Sequence, residues 1–209
     1  VPSLVGVIGG GRMGAGIAHA FAVAGSRVAV IERDSDSVQM ARGRVLAALM
    51  TSVERKSTKE PLEDLTARVG FGRDLAALAE AELVIEAVPE SLELKVDALG
   101  RAEAVLAPMA WLASNTSSIS ITTLGQSLQR PERFCGLHFF NPVPASKLVE
   151  IVAGNETAGE LIEAAQRWVA AIGKSAITVK DVPGFATSRL GVALGLEAIR
   201  MLQDGGASA

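Results

Sequence analysis

The chain has 209 residues, 49% hydrophobic and 21% charged, with a formal net charge of −3. That is apolar material for one large domain or two small ones, and the mild acidity excludes the basic footprint of a nucleic-acid binder. A single cysteine, Cys135, excludes an internal disulfide, and no apolar run reaches spanning length; the expectation is a soluble cytoplasmic protein with no membrane partner. The chain starts directly in a strand, so no signal peptide is expected, and Val1 without Met points to processing or trimming.

Leu4–Ile8 predicts a buried strand, Met13–Ala24 a helix ended by Gly25, and Arg27–Ile31 a second strand. Ser35–Arg55 predicts a long amphipathic helix with Val38, Ala41, Val45, Ala48 and Leu49 as its apolar positions. A polar turn over Lys56–Pro61 leads into a shorter helix reaching Arg68. A strand near Val69–Phe71, a helix near Leu75–Ala79 and a strong strand at Leu83–Val88 come next. Ser91–Leu106 predicts a helix, Trp111–Ser114 a strand and Ile121–Leu128 a short helix. Phe134–Phe140 reads as a buried strand that contains His138 and breaks at Asn141-Pro142. Lys147–Val152 predicts a strand, Ala158–Ile172 a helix and Ser175–Val179 a last strand. Strands alternating with helices imply an α/β fold, a doubly wound and mostly parallel sheet covered on both faces. Beyond Pro183-Gly184, Phe185–Leu202 is apolar nearly all round, so its cover is expected from another domain or subunit.

The first strand runs into "GGGRMG", which sets Gly9, Gly11 and Gly14 in a G-x-G-x-x-G pattern between a strand and a helix. Gly9 permits the tight turn, Gly11 lets a pyrophosphate approach the backbone, and Gly14 lets the helix pack close to the strand. Arg12 and Met13 contribute backbone donors at a helix N-terminus that favours phosphate. Glu32 ends the second strand eighteen residues beyond Gly14, where a carboxylate accepts from the adenosine ribose hydroxyls. An acid there favours NAD over NADP, while the neighbouring Arg33 speaks for the phosphate. The alternative is that the glycines serve turns only and Glu32 is a solvated strand end.

Dinucleotides bind at the carboxyl ends of such strands. Ala87-Val88 leads through Pro89 to Glu90 at one end. Ser114 is followed by Asn115, Thr116, Ser117 and Ser118 at another, and His138 stands near a third. Oxidising an alcohol needs a group that takes the hydroxyl proton, and histidine suits this near neutral pH. A lone histidine is more often a core residue with a satisfied hydrogen bond. Glu150, inside the apolar run "KLVEIVAG", reads either as an edge carboxylate facing water or as a buried partner. A His138–Glu150 pair would explain both anomalies.

The segments "VIGGGRMGAGIA", "ASNTSS", "GLHFFNPVP", "KLVEIV" and "KDVPGF", in this order, closely resemble the 3-hydroxyacyl-CoA dehydrogenases, over nearly the whole chain. The resemblance implies a Rossmann-type NAD-binding domain over residues 1–182, with a helical arm about 35–68 over coenzyme A. It further implies the start of an all-α dimerisation and substrate domain over 183–209, whose remainder family members carry as on the order of a hundred further residues. It implies His138 as catalytic base, Glu150 as its paired acid, Ser117 contacting substrate and cofactor, and Asn141 near nicotinamide and substrate. Glu90 and Lys95 match positions near the nicotinamide half, together with the strand-end residues Val88 and Asn115, and Glu32 matches the ribose acid. Arg55 and Lys56 are carried over for coenzyme A; solvated helix-end charges are an equal reading. No metal is implied. One departure stands in "PGFATSRL", where Ser188 replaces a family asparagine near the substrate carbonyl. The implied activity is NAD-dependent oxidation of 3-hydroxyacyl-CoA by a homodimer. The alternatives are a dehydrogenase of a free hydroxy acid and a dinucleotide-binding protein without catalysis.

Overall fold

The computed structural model describes residues 1–206 and 208; Ala207 and Ala209, part of the expected 183–209 segment, lie outside the described residues. Its strands are β1 (Leu4–Ile8), β2 (Arg27–Ile31), β3 (Val69–Gly72), β4 (Leu83–Glu86), β5 (Trp111–Ser114), β6 (Phe134–Phe139), β7 (Leu148–Ala153) and β8 (Ser175–Lys180). The helices are α1 (Arg12–Val23), α2 (Ser35–Glu54), α3 (Leu62–Ala67), α4 (Leu92–Val105), α5 (Ile121–Gly125), α6 (Gly159–Ala171) and α7 (Thr187–Gln203).

All eight strands form one sheet in the order β3-β2-β1-β4-β5-β6-β7-β8. The first six have the order of a dinucleotide-binding Rossmann sheet and pair in parallel. The strand order reverses between β1 and β4, and a crevice opens beyond their carboxyl ends. β7 then runs antiparallel to β6, and this register sets His138 directly opposite Glu150. One apolar layer packs α1, α2 and α6 onto the sheet through residues such as Phe21, Val45, Leu49 and Val169. A second layer packs α4 and α5 on the other face through Leu99, Leu124 and Phe134. Each such fully buried side chain contributes about 1.5–3 kcal/mol relative to exposure.

Three of the seven α-helices among the described residues, α2, α4 and α5, begin where a side chain caps them. Asp34 accepts from the Ser37 amide at 2.7 Å at the start of α2, and that backbone hydrogen bond holds its carboxyl below the usual range. Ser120 caps α5. α7 has no side-chain cap at Ala186, and its first amides turn to a buried carboxylate on β7 instead.

The structure shifts several expected boundaries. The helix near Leu75–Ala79 is a single 3-10 turn over Leu75–Leu78, set off by Asp74 accepting from Ala76. β4 stops at Glu86, two residues early, because the Glu86 carboxylate accepts the Val88 amide at 2.6 Å and turns the chain. α5 stops at Gly125, before a 3-10 turn that Pro131 opens. The tail helix starts at Thr187 rather than Phe185, whose φ of 48° is left-handed. Its apolar side chains, expected under cover, are exposed within this chain: Leu190 is 62% and Leu194 64% exposed.

Candidate active site

A cleft of about 1140 Å³ runs along the carboxyl ends of β1, β2, β4, β5 and β6. Gly9, Gly11, Arg12 and Met13 form one wall. Gly9 adopts φ 91°, which a side chain would strain. A Cβ on Gly14 would stand 1.8 Å from the Gly9 carbonyl oxygen, so α1 and the turn pack backbone to backbone. A Cβ on Gly11 would meet no protein atom within 4 Å; it would project into open space on the cleft side. That is the cradle a pyrophosphate needs. α1 has neither a side-chain cap nor an acid in its first turn, so its leading amides remain available to an anion. These residues therefore fit a dinucleotide.

Glu32 lines the same cleft, where β2 ends. Its Oε1 accepts the Gly10 amide at 2.7 Å, tying the glycine turn to the carboxylate that would read the ribose. Arg33 also lines this end, but its side chain is 84% exposed and pairs with Asp34. The arginine's charge is thus partly answered locally, while Glu32 faces the cleft.

His138 lines the other end and is 4% exposed. Its Nδ1 lies 2.6 Å from Glu150 Oε2. Glu150 is fully buried; its Oε1 accepts the amides of Ala186 and Thr187 at 3.0 and 2.8 Å, and its Oε2 also accepts the Thr187 hydroxyl at 3.0 Å. Burial alone would raise this carboxyl's pKa, but hydrogen bonds from His138, Thr187 and Ala186 outweigh it and hold the pKa below the ordinary value. An ionised Glu150 only accepts, so Nδ1 carries its proton and Nε2 presents a lone pair. Phe140 and Phe185 pack on the ring at centroid distances of 4.4 and 5.8 Å and limit its rotation. The left-handed backbone at Phe185, a cost of about 1–2 kcal/mol, is held by burial of that ring. The pair can take up and return one proton at Nε2.

Ser117, Asn141 and Ser188 line the cleft, as do Val88, Glu90 and Asn115. Asn115 Oδ1 accepts the Phe139 amide at 2.8 Å, fixing β5 against the histidine strand. Glu90 Oε1 accepts the Thr116 hydroxyl at 2.6 Å and the Ser117 amide at 2.9 Å, which shapes the serine turn. Lys95 is placed differently from the expectation. It is fully buried beneath the cleft, with Nζ 2.9 Å from Glu86 Oε1, 3.2 Å from the Val88 carbonyl and 3.4 Å from Glu90 Oε2. Its charge is answered by Glu86, so it holds the wall and does not line it. Arg55 and Lys56 are exposed at the end of α2, outside the residues lining the cleft.

Four participants were not expected from the sequence. Glu86 ends an apolar strand and is the buried partner of Lys95; the "LVIE…K" spacing was its only signal. Ala186 and Thr187 grip Glu150, a contact between residues 36 and 37 positions apart. Asp181 accepts from Ser120 and the amides of Ile121 and Thr122, which anchors the strap leading to α7.

A family model described as "3-hydroxyacyl-CoA dehydrogenase, NAD binding domain" matches residues 4–182. A 3-hydroxybutyryl-CoA dehydrogenase of Bradyrhizobium diazoefficiens is 40% identical over 202 residues, covering 96% of this chain and 69% of that protein. The human mitochondrial hydroxyacyl-coenzyme A dehydrogenase is 36% identical over 209 residues, covering 97% of this chain and 67% of its own length. Among solved structures, the (S)-3-hydroxybutyryl-CoA dehydrogenase of Ralstonia eutropha superposes with a TM-score of 0.94 at 36% identity, over 100% of this chain and 74% of that one.

Proposed function

The chain belongs to the 3-hydroxyacyl-CoA dehydrogenase family, and on that premise we propose that it catalyses the reversible, NAD-dependent oxidation of 3-hydroxyacyl-CoA to 3-ketoacyl-CoA with His138 as proton acceptor. One observation carries the reading of the site: the His138–Glu150 pair opens on the same cleft as the glycine turn. Bound NAD supplies the hydride acceptor. The turn from Gly9 to Gly14, with Arg12 and Met13, would hold its phosphates and Glu32 its adenosine ribose. Val88, Glu90 and Asn115 would flank its nicotinamide half, with Lys95 bracing them from beneath.

His138 Nε2 takes the proton of the substrate's 3-hydroxyl as the C3–H electron pair leaves as hydride, and the C–O bond becomes a carbonyl. Glu150 holds Nδ1–H and offsets the imidazolium charge. Ser117 and Asn141 position the reacting oxygen, and Ser188 serves the carbonyl with one shorter donor in place of an amide. In the reverse direction His138 returns the proton. Arg55 and Lys56 are assigned to the coenzyme A half on exposure and charge alone.

The reading extends to a division at residues 1–182 and 183–209, which the end of the family match at 182 supports. It also extends to a homodimer, supported by the exposed apolar side chains of α7, and to a cytoplasmic setting, supported by the lone buried Cys135, whose thiol burial pushes up to about 12. Among the described residues no helix is long and apolar enough to cross a membrane. The test compares oxidation of 3-hydroxybutyryl-CoA with that of free 3-hydroxybutyrate. Turnover of the thioester alone is expected. Turnover of the free acid would favour a hydroxy-acid dehydrogenase, and NADH binding with no turnover of either would favour a non-catalytic role.

A further inference from the structure

Two donors share the Glu150 oxygen that faces the catalytic histidine. Oε2 takes His138 Nδ1 at 2.6 Å and the Thr187 hydroxyl at 3.0 Å, while Oε1 takes two backbone amides. Thr187 alone supplies two of the four contacts, one from its backbone and one from its side chain. We propose that Thr187 is a positioning residue for proton transfer: its hydroxyl competes with His138 for Glu150 Oε2 and so sets how strongly that carboxylate holds the imidazolium. The proposal rests on the reading of His138 as proton acceptor.

The physical argument is one of charge sharing. A hydroxyl that donates to a carboxylate stabilises its negative charge and draws it away from other partners. Removing that hydroxyl leaves His138 as the sole donor on Oε2 among the described residues, so Glu150 binds the imidazolium more strongly. Among the described residues, His138 is the one ionisable side chain hydrogen-bonded to Glu150. Across the ladder β6 presents His138, and on the far side β8 presents Ile177. Asp181, on the strap before α7, is engaged by Ser120, Ile121 and Thr122. Arg189, on the first turn of α7, is exposed and makes no ion pair among the described residues. Thr187 is thus the adjustable member. The backbone amides persist whatever side chain stands at 187, whereas the hydroxyl is a matter of sequence.

The test uses the whole chain and its two histidines, which ¹⁵N-histidine NMR resolves. His19, bonded to Ser52 away from the pair, serves as internal reference, and His138→Gln assigns the other signal. Thr187→Val keeps the branched shape and removes the hydroxyl, and Thr187→Ser keeps the hydroxyl. In Thr187→Val the His138 titration midpoint should rise by about 0.5–1 pH unit, roughly a 3–10-fold gain in proton affinity. The acid limb of kcat/KM for oxidation should move up with it, while Thr187→Ser stays near wild type. A His138 midpoint that does not move in Thr187→Val overturns the proposal. A midpoint that moves while the acid limb stays fixed upholds the coupling and removes His138 as the titrating base. Thr187→Ala provides a second comparison, since Ala and Ser differ by the hydroxyl alone. Unfolding of both the Val and Ala variants, with Ser intact, would make the hydroxyl a folding contact and overturn the positioning role.

Discussion

Replacing Glu150 with Gln probes the proton-transfer unit at its buried end. The side chain has no exposure and accepts four hydrogen bonds, two on each oxygen. Glutamine keeps the size but has only one acceptor oxygen. The amides of Ala186 and Thr187 are fixed by the backbone at the start of α7, so the amide oxygen should turn to them. Its NH2 then faces His138 and the Thr187 hydroxyl. The hydroxyl can rotate and accept. The imidazole can accept only by moving its proton from Nδ1 to Nε2, which removes the lone pair the substrate needs. A like Asp→Asn change beside the histidine of a serine protease costs about 10⁴ in kcat, and a loss of about 10³–10⁴ is expected here. Burial raises the Glu150 pKa, but the hydrogen bonds outweigh it and the folded-state value lies below the unfolded one. Ionised Glu150 therefore adds stability at neutral pH, and that part is lost as pH falls through the lowered value. The variant lacks it, and a Thr187 hydroxyl turned to accept leaves its own proton without Oε2, so at pH 7 the variant should be less stable by about 1–3 kcal/mol, and the gap should narrow in acid. The assays are NADH oxidation with acetoacetyl-CoA and urea unfolding across pH. A Glu150→Gln rate within tenfold of wild type at pH 7 would refute the reasoning.

Three further changes address the cofactor end and the wall beneath it. Glu32→Ala should weaken NADH binding by about tenfold, the scale of one charged hydrogen bond, with little change in saturated turnover; unchanged affinity by fluorescence titration would remove Glu32 from the ribose site. Gly14→Ala sets a Cβ where the Gly9 carbonyl oxygen stands 1.8 Å away, so it should displace the glycine turn and weaken NADH binding, although alanine ordinarily favours a helix. Binding at wild-type strength would show that the turn tolerates the shift. Lys95→Met leaves the Glu86 carboxylate buried without its ammonium and should cost about 3–5 kcal/mol; a loss below about 1 kcal/mol in thermal unfolding would show that Ser114 and the Val88 amide suffice.

Local pattern made the sheet legible. Runs such as Leu4–Ile8, Arg27–Ile31 and Trp111–Ser114 are apolar, short and bounded by turn residues, and they form the strands the pattern predicts. The glycine turn was legible because its spacing and its strand–helix context carry the chemistry together. Cross-sheet facts were not. Nothing local states that β7 runs antiparallel to β6, yet that register sets Glu150 opposite His138. Lys95 sits in the helix segment "LELKVD" among exposed neighbours, so periodicity alone gives no sign that a strand-end acid buries it. Thr187 and Asp181 act through contacts more than thirty residues distant, which the segments around them do not encode. His19 is the core histidine that composition alone would favour, bonded to Ser52 Oγ at 2.7 Å, with its pKa lowered by burial and by the Lys174 charge.

The most direct test of the central claim is NADH oxidation with acetoacetyl-CoA, followed by absorbance, on this 209-residue chain and on its His138→Gln variant side by side. The account predicts steady turnover by the parent and a loss of about 10³-fold or more in the variant, with NADH bound by both. Equal turnover by the two would contradict it, because His138 would then not be the group that moves the proton.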